Sequence, residues 1–594
     1  VIVLDCETEE IIGNPLVNPP AVHGIAYLMP GHEPGYLHFR GEKANCKWST
    51  VHDFLRDIWA SSEPLLFHNA PFDLACIRAE FMGLKPPHWS RIHDTMFLCY
   101  LADPYALSLS LKPSAERYLG MAPEEQDTLT EWILAHVPEA TRKTAGAYTV
   151  RAPLELISPY AIGDVVRTKA LYDHLIDKVP EQAYNRERQI MPILMEASVR
   201  GLRVARPALE AALGRAQTAL EAAGVRAGAL LGVPNAALLT PSELADALQT
   251  AGKMSKIVLT PTGRVSTKKK VLTECVNDPD LLDLLRYCGS LDTCINTFMM
   301  PWLEHSAADG RLHPEWNQVR TTEKGRYGTR TGRLSCSNPN LQNVPTEFKF
   351  EIPAGLDPLP FLRQFLLPEE GHFWLKRDFA SQEIRIAAHF EDGILLEAYR
   401  RNPSLDPHQM AKDLILKLTG QDFERKHVKI TGFQIIYGGG PNAISENVGC
   451  SYGEAYNLKV AYFAAMPGIE QLSKEISAVG RSGEAITTWG GRKYYREISA
   501  KFPGKDFSYK LLNYLIQGSA ADQTKQAIIE WYNPDAGDLL LATVHDEINI
   551  SAPMDEWELY MERLKEIMNR DRLDCPMLSD GFVGANWHDL EACS

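Results

Sequence analysis

No C-x-x-C pair occurs in the 594 residues, and the eleven cysteines are odd in number. A disulfide framework or a zinc module is therefore not expected, and reduced thiols in a cytosolic compartment are. No apolar run approaches the ~18 residues of a membrane span. Positive charge is in deficit: 61 Lys and Arg stand against 76 Asp and Glu, a formal net charge of −15. That excludes a uniformly basic coat for nucleic acid, but not a local basic groove, because steering depends on where charge sits. Fixed-period repeats and low-complexity linkers are also missing, and the ordinary composition leaves out the disordered, collagen and coiled-coil classes. What is present is ordinary for a folded chain, 45% hydrophobic and 23% charged residues, and at ~100–200 residues per domain the length suits three to five domains. The chain opens on the apolar residues 1–4 without an initiator Met or a charged leader, which reads as a trimmed start rather than a signal peptide.

The first ~175 residues alternate short β-branched or aliphatic runs (1–4, 64–67) with helical patterns (73–81, 160–176), the signature of an α/β unit. After Pro180 the character changes. Residues 186–232 read as helical, with Leu209, Leu213 and Leu220 on one face and Gly224 and Gly232 as stops. A polar stretch at 253–270 then carries Lys253, Lys256, Arg264, Lys268, Lys269 and Lys270 and no acid. From about residue 319 strands and helices mix again, an α+β pattern.

Two sets of carboxylates carry chemistry. Asp5 and Glu7 are two apart after the first strand, so their side chains share one face and can hold one ion together. Asp73 follows an apolar run and lies near a helix N-terminus, and Tyr160 and Asp164 are four apart on one helical face. Hard oxygen ligands without Cys or His point to Mg²⁺ or Mn²⁺. In the second set Asp378 ends the strand-like run 373–378, just before a helix. Asp546 sits more than 150 residues later in the sequence, in the turn His545-Asp546-Glu547 between two apolar strands. Between them, Arg425, Lys429, Phe433 and Tyr437 recur every four residues. Each step drifts only ~40° around a helix, giving a stripe cationic at one end and aromatic at the other, closed by three glycines. Arg and Lys suit a triphosphate and flat rings suit a base.

The order D-x-E, N-x-x-x-D, Y-x-x-x-D resembles the proofreading 3′–5′ exonucleases of the DEDD type. With Thr331-Gly332-Arg333-Leu334-Ser335, the run 339–345, Asp378 to Arg385, the 425–438 stripe, Asn513 with Gln517 to Asp522, and Val544 to Glu547, the chain resembles family A DNA polymerases, the group of bacterial DNA polymerase I and its Klenow-type fragment. The resemblance implies a ribonuclease H-like exonuclease domain (1–178) followed by a right-hand polymerase. Its thumb would be 179–318 with a basic tip at 253–270, its palm 319–410 and 513–594, and its fingers 411–512. It implies template-directed synthesis from dNTPs with 3′–5′ proofreading, using two Mg²⁺ (or Mn²⁺) ions per active site. Asp5, Glu7, Asp73 and Asp164 would hold the nuclease ions and Tyr160 would orient the water. Asp378 and Asp546 would hold the polymerase ions, with Glu547 assisting nearby. Arg425, Lys429 and His408 would grip the triphosphate, and Lys429 would serve the leaving pyrophosphate. Phe433 would stack on the base, Tyr437 would lie near the templating position, Glu383 would block a ribose 2′-OH, and Gln382 would lie beside the nucleotide pocket. Arg333, Asn513, Gln517 and His545 would touch primer–template DNA, and Lys268, Lys269 and Lys270 the duplex phosphates. The expected partners are primer–template DNA and dNTPs, with no membrane. A compact, phage-like enzyme working as a monomer in the cytoplasm, the host's if phage-encoded, is expected. The alternatives are an exonuclease whose other half only grips DNA, and a non-catalytic DNA-binding module.

Overall fold

The computed structural model describes residues 1–41, 44–260, 262–319, 328–348, 350–498 and 504–593. Its first unit is built on a five-stranded sheet ordered Gly35–His38, Val22–Leu28, Ile2–Thr8, Leu65–Phe67, Ile92–Asp94. The first three strands are antiparallel and the last two join in parallel. The central strand Ile2–Thr8 is buried on both faces, as its near-continuous apolar start requires. It runs past Leu4, so Asp5 and Glu7 lie within the strand and not after it. Helices Ala70–Glu80 and Leu154–Leu175 begin earlier than their apolar periodicity suggested, which puts Asp73 in a first turn and Tyr160 inside a helix.

The expected helical run 186–232 is two helices, Glu181–Arg200 and Arg206–Leu231. Gly201 (φ 68°) turns the chain between them, and the short strand Leu202–Val204 pairs with Arg311–Leu312 and Leu366–Leu367. Gly224 does not stop the second helix. A Cβ there would lie 2.0 Å from Asn235 Oδ1, so glycine is present to admit a close crossing. In the basic stretch Lys253 pairs with Asp278 at 2.6 Å and Lys256 with Glu274 at 3.4 Å, while Lys268, Lys269 and Lys270 stay exposed.

The second large sheet is antiparallel throughout, ordered Leu539–Val544, Glu547–Pro553, His372–Phe379, Ser579–Gly584, Leu590–Cys593. Beneath it runs Leu511–Trp531, buried along most of its length. Against Leu511–Trp531 rests a cluster of helices, Pro407–Thr419, Arg425–Ile436 and Tyr452–Ala465. Gly432 lets the last two approach, since a Cβ there would meet the Tyr462 hydroxyl at 2.8 Å. The boundaries expected at 410/411 and 512/513 fall inside the helices Pro407–Thr419 and Leu511–Trp531. Family motifs mark functional segments, and those helices continue through them.

A buried ion network ties helix Glu181–Arg200 to helix Leu511–Trp531 through Arg492. Arg492 and Lys525 meet Glu187 and Asp522, all at most 2% exposed, with Lys525 Nζ 2.6 Å from Glu187 Oε1 and Arg492 Nε 2.9 Å from Asp522 Oδ1. Full pairing is what makes four buried charges tolerable. Those cations hold the Glu187 carboxyl down at about 2 despite its burial. No helix among the described residues is long and apolar enough to cross a membrane.

Candidate active sites

In the first unit, strand Ile2–Thr8 presents Asp5 and Glu7 toward Asp164 on helix Leu154–Leu175. One oxygen from each of the three lies within 4.8 Å of the others. Asp73 stands just outside that trio, because one of its oxygens accepts the Cys6 N–H at 2.9 Å. The expected set of four equal ligands is therefore three converging carboxylates and a fourth pinned beside them by the backbone. Burial and then the charge of Asp73 push Asp5 well up, burial and Asp164 push Glu7 up to about 8, and burial lifts Asp73 to about 7. Such crowding is costly for bare carboxylates and is relieved by a divalent cation. Asp164 Oδ1 is buried without a hydrogen-bond partner, as a ligand atom would be. Tyr160 adjoins the trio and, with Glu7, Lys143 and Thr144, lines a cleft of about 360 Å³.

Asp94 had no role in its sequence spacing. Its buried carboxylate accepts from the N–H groups of Asn69 (3.0 Å), Ala70 (2.8 Å) and Met96 (2.8 Å). It thus caps the helix that carries Asp73 as well as its own helix, Thr95–Ala102.

In the second unit the sheet register brings together residues far apart in sequence. Asp378 lies opposite Glu547, and the Phe379 N–H donates to the Asp546 carbonyl at 3.3 Å. The tight turn between strands Leu539–Val544 and Glu547–Pro553, with His545 at φ 60°, lifts Asp546 to the sheet's end beside Asp378. Burial and then Asp546 push the Asp378 carboxyl up to about 7, and burial holds Asp546 at about 6. Asp378 Oδ1 has no hydrogen-bond partner. Glu547 faces elsewhere. Its Oε1 accepts from Asn549 (2.7 Å) and Trp587 (3.1 Å), and its Oε2 pairs with Lys376 at 3.1 Å, so both oxygens are held by the protein.

Helix Arg425–Ile436 carries Arg425 and Lys429 exposed. Phe433 and His408 approach with ring centroids 5.6 Å apart, and Phe433 and Tyr437 6.0 Å apart. Arg425 pairs with Asp406, which also caps helix Pro407–Thr419 through the His408 and Gln409 amides. Burial, then Lys429, lowers His408 to about 4, which keeps its ring neutral near pH 7. The Tyr437 hydroxyl donates to Glu383 at 2.8 Å and Arg333 pairs with the other oxygen of that carboxylate. Arg333 and His545 border one small recess with Gln342. Asn513 and Gln517 lie one turn apart on Leu511–Trp531; the buried Asn513 Oδ1 has no partner, and Gln517 hydrogen-bonds Tyr437.

Gln382 is the misplaced expectation. It is 3% exposed, and its amide donates to Gln523 Oε1 at 3.0 Å and to Ala520 and Thr524 at 3.3 Å. The helix starting after Ser381 turns Glu383 to the pocket and Gln382, ~100° away, inward against Leu511–Trp531. Sequence reasoning also missed Lys112, whose Nζ lies 2.7 Å from Asp164 Oδ2, and Tyr100, which bonds the segment leading to Arg333. Neither sits in a recognisable spacing.

Comparison with known proteins covers both units. Residues 207–589 match DNA polymerase family A, and residues 42–180 match a 3′–5′ exonuclease domain, a match that begins after Asp5 and Glu7. The DNA polymerase DpoZ of Vibrio phage phiVC8 is 27% identical, with 96% of this chain and 93% of that one covered. DNA polymerase I of Caldicellulosiruptor bescii is also 27% identical, over 72% of this chain and 50% of its own length. Among solved structures, the POL domain of Pol1 from M. smegmatis, in complex with DNA primer-template and dNTP, superposes with a TM-score of 0.76. It is 20% identical and covers 99% of this chain and 95% of that one, a likeness of fold.

Proposed function

The chain belongs to DNA polymerase family A and carries a 3′–5′ exonuclease domain ahead of the polymerase, and from that premise we propose which of its residues perform the two reactions. It is a phage-like DNA-directed DNA polymerase that copies a template and proofreads, and both domains depend on divalent metal. For synthesis, Asp378 and Asp546 would hold the divalent metal. Arg425 and Lys429 bind the triphosphate as exposed charges that a free nucleotide can reach, and Lys429 gives the leaving pyrophosphate a proton. His408 meets the same phosphates as a neutral donor. Phe433 stacks on the incoming base, and Glu383, held by Tyr437 and Arg333, fills the space a 2′-OH would need. Arg333, Asn513, Gln517 and His545 contact the primer–template, while Lys268, Lys269 and Lys270 meet duplex phosphates.

For proofreading, Asp5, Glu7 and Asp164, with Asp73 beside them, would hold the divalent metal, and Tyr160 would orient the attacking water. When bound, two Mg²⁺ or Mn²⁺ ions per site would neutralise charge on the phosphate and favour the ionised nucleophile. The partners are primer–template DNA and dNTPs, and the enzyme acts as a monomer in the cytoplasm, the host's if the chain is phage-encoded.

The observation that carries this reading is the meeting of Asp378 and Asp546 at one end of the palm sheet, with an oxygen free of protein partners. The test is extension of a primed template by Asp378→Asn with dNTPs and Mg²⁺. Extension should disappear while the primer is still shortened from its 3′ end; extension at the wild-type rate would overturn the assignment.

A further inference from the structure

One cation lies inside the nuclease cage. Lys112, in the first turn of helix Leu111–Leu119, has a side chain only 11% exposed. Its Nζ donates to Asp164 Oδ2 at 2.7 Å and stands 3.8 Å from the centre of the Tyr160 ring. The neighbouring Arg167 is committed elsewhere. It binds both oxygens of Glu125 and the Ala122 carbonyl, and comes no nearer to Asp164 than 3.7 Å. A secluded ammonium is stable only where its partners offset lost hydration. Here those partners are the ligand and the phenol that share one face of helix Leu154–Leu175, and Lys112 spans them from a different helix.

We propose that Lys112 is a positioning residue of the 3′–5′ exonuclease. Its ammonium fixes the Asp164 carboxylate and the Tyr160 ring together, and it gives up Asp164 Oδ2 when a divalent ion binds. The inference rests on the assignment of Asp164 and Tyr160 made above. It has a signature that a lysine serving only the fold would not produce. The ammonium and a divalent ion compete for the same oxygen, so deleting the ammonium tightens ion binding. The same ammonium aligns two working groups, so deleting it slows turnover. The two effects run in opposite directions.

The test uses the full chain with Asp546→Ala to silence the second site. Lys112→Met, nearly isosteric but uncharged, is compared with Lys112→Arg, which keeps the cation. Calorimetric titration with Mn²⁺ alone reads ion affinity, and release of nucleotide from a 3′-labelled single strand reads kcat and KM. We expect Lys112→Met to bind Mn²⁺ about threefold to tenfold more tightly. Its kcat should fall by about tenfold to a hundredfold, the range for groups that orient metal ligands, with KM within about twofold. Lys112→Arg should recover much of the lost kcat. An unchanged kcat in Lys112→Met, weaker Mn²⁺ binding, or an arginine variant no faster than the methionine one would each overturn the proposal. Asp164→Ala separates the two layers: exonuclease activity surviving there removes the site itself, whereas inactivity there with full kcat in Lys112→Met removes only the role of Lys112.

Discussion

The two carboxylate sites of this chain solve one problem, gathering repelling acids around a metal, with different amounts of enclosure. In the nuclease unit the acids come from one central strand and two helices and close on a cation of their own, Lys112. In the polymerase unit they come from a strand end and a hairpin tip; the cations that act on them, Lys376 and Arg333, are each paired to another acid, Glu547 and Glu383, while Arg425 and Lys429 stand exposed on a separate helix. The contrast follows from what each site must capture. A strand end is delivered to the nuclease by the DNA already bound, so its cation can be buried. A nucleotide arrives from solution, and charge meant to find it has to remain reachable.

The sharpest way to break this comparison is to remove one acid from each site. Asp546→Ala should lower primer extension by on the order of 10³-fold or more, since several kcal/mol of charge stabilisation are lost, and leave 3′ degradation intact. Asp164→Ala should do the reverse. Gel assays of both activities on one primed template decide it, and a variant that lost both would mean the sites are not independent.

A hundredfold effect is expected at Glu383. Its carboxylate is held by Tyr437 and Arg333 from two directions, so it acts as a fixed wall and not a swinging side chain. Glu383→Ala should raise ribonucleotide incorporation relative to deoxynucleotide by about a hundredfold, the scale on which a pocket rejects one added hydroxyl. Single-nucleotide insertion kinetics with each sugar measure it, and an unchanged ratio would take Glu383 out of sugar selection.

The acids at both sites were legible because each has a local signature: two apart on a strand for Asp5 and Glu7, one helical turn for Tyr160 and Asp164, a strand end for Asp378. Topology was legible only through resemblance, since nothing local says that residue 378 and the turn holding residue 546 meet at one end of the same sheet. What could not be read was side-chain direction and long-range reach. Gln382 and Glu383 are neighbours in sequence, yet one faces helix Leu511–Trp531 and the other the pocket, a difference set by the helix phase after Ser381. Lys112 reaches Asp164 across helices, and Glu547, an acid beside an acid, spends both oxygens on Trp587, Asn549 and Lys376. Such pairings depend on tertiary packing, which has no period in the sequence.

Enclosure also has a titration consequence. Without metal, Glu7 and Asp73 sit at about 8 and about 7, whereas Asp378 and Asp546 sit at about 7 and about 6. All four are raised, so the folded protein holds protons that the unfolded chain has released. Metal-free stability therefore falls as pH rises from about 4 toward about 8, and the stabilisation given by Mg²⁺ grows over the same window. At pH 7.5 ion binding should release more protons at the nuclease site, where Asp5, Glu7 and Asp73 are all raised, than at the polymerase site. Calorimetry in two buffers of different ionisation enthalpy, with Asp546→Ala and Asp164→Ala isolating each site, tests this. Equal release would erase the distinction.

The smallest effect concerns how far the two sites are mechanically separate. The Tyr100 hydroxyl donates to the Thr329 carbonyl at 2.9 Å and accepts from the Gly332 N–H at 3.0 Å. Gly332 sits at φ 86° with the Arg492 guanidinium where a Cβ would be, and the next residue, Arg333, braces Glu383. Tyr100→Phe leaves both backbone groups unpaired, at a cost of ~1–3 kcal/mol for each such buried group. Helix Thr95–Ala102 should not move, because Phe97, Leu98, Cys99 and Leu101 pack it into the nuclease core and Asp94 caps its start. The loss should therefore fall on the segment that the phenol holds and not on the helix that carries it. Primer extension should slow by about twofold while digestion of single-stranded DNA keeps its rate. An equal slowing of both would mean that the hydroxyl supports the nuclease domain itself, and that the two sites share more than the segment between them.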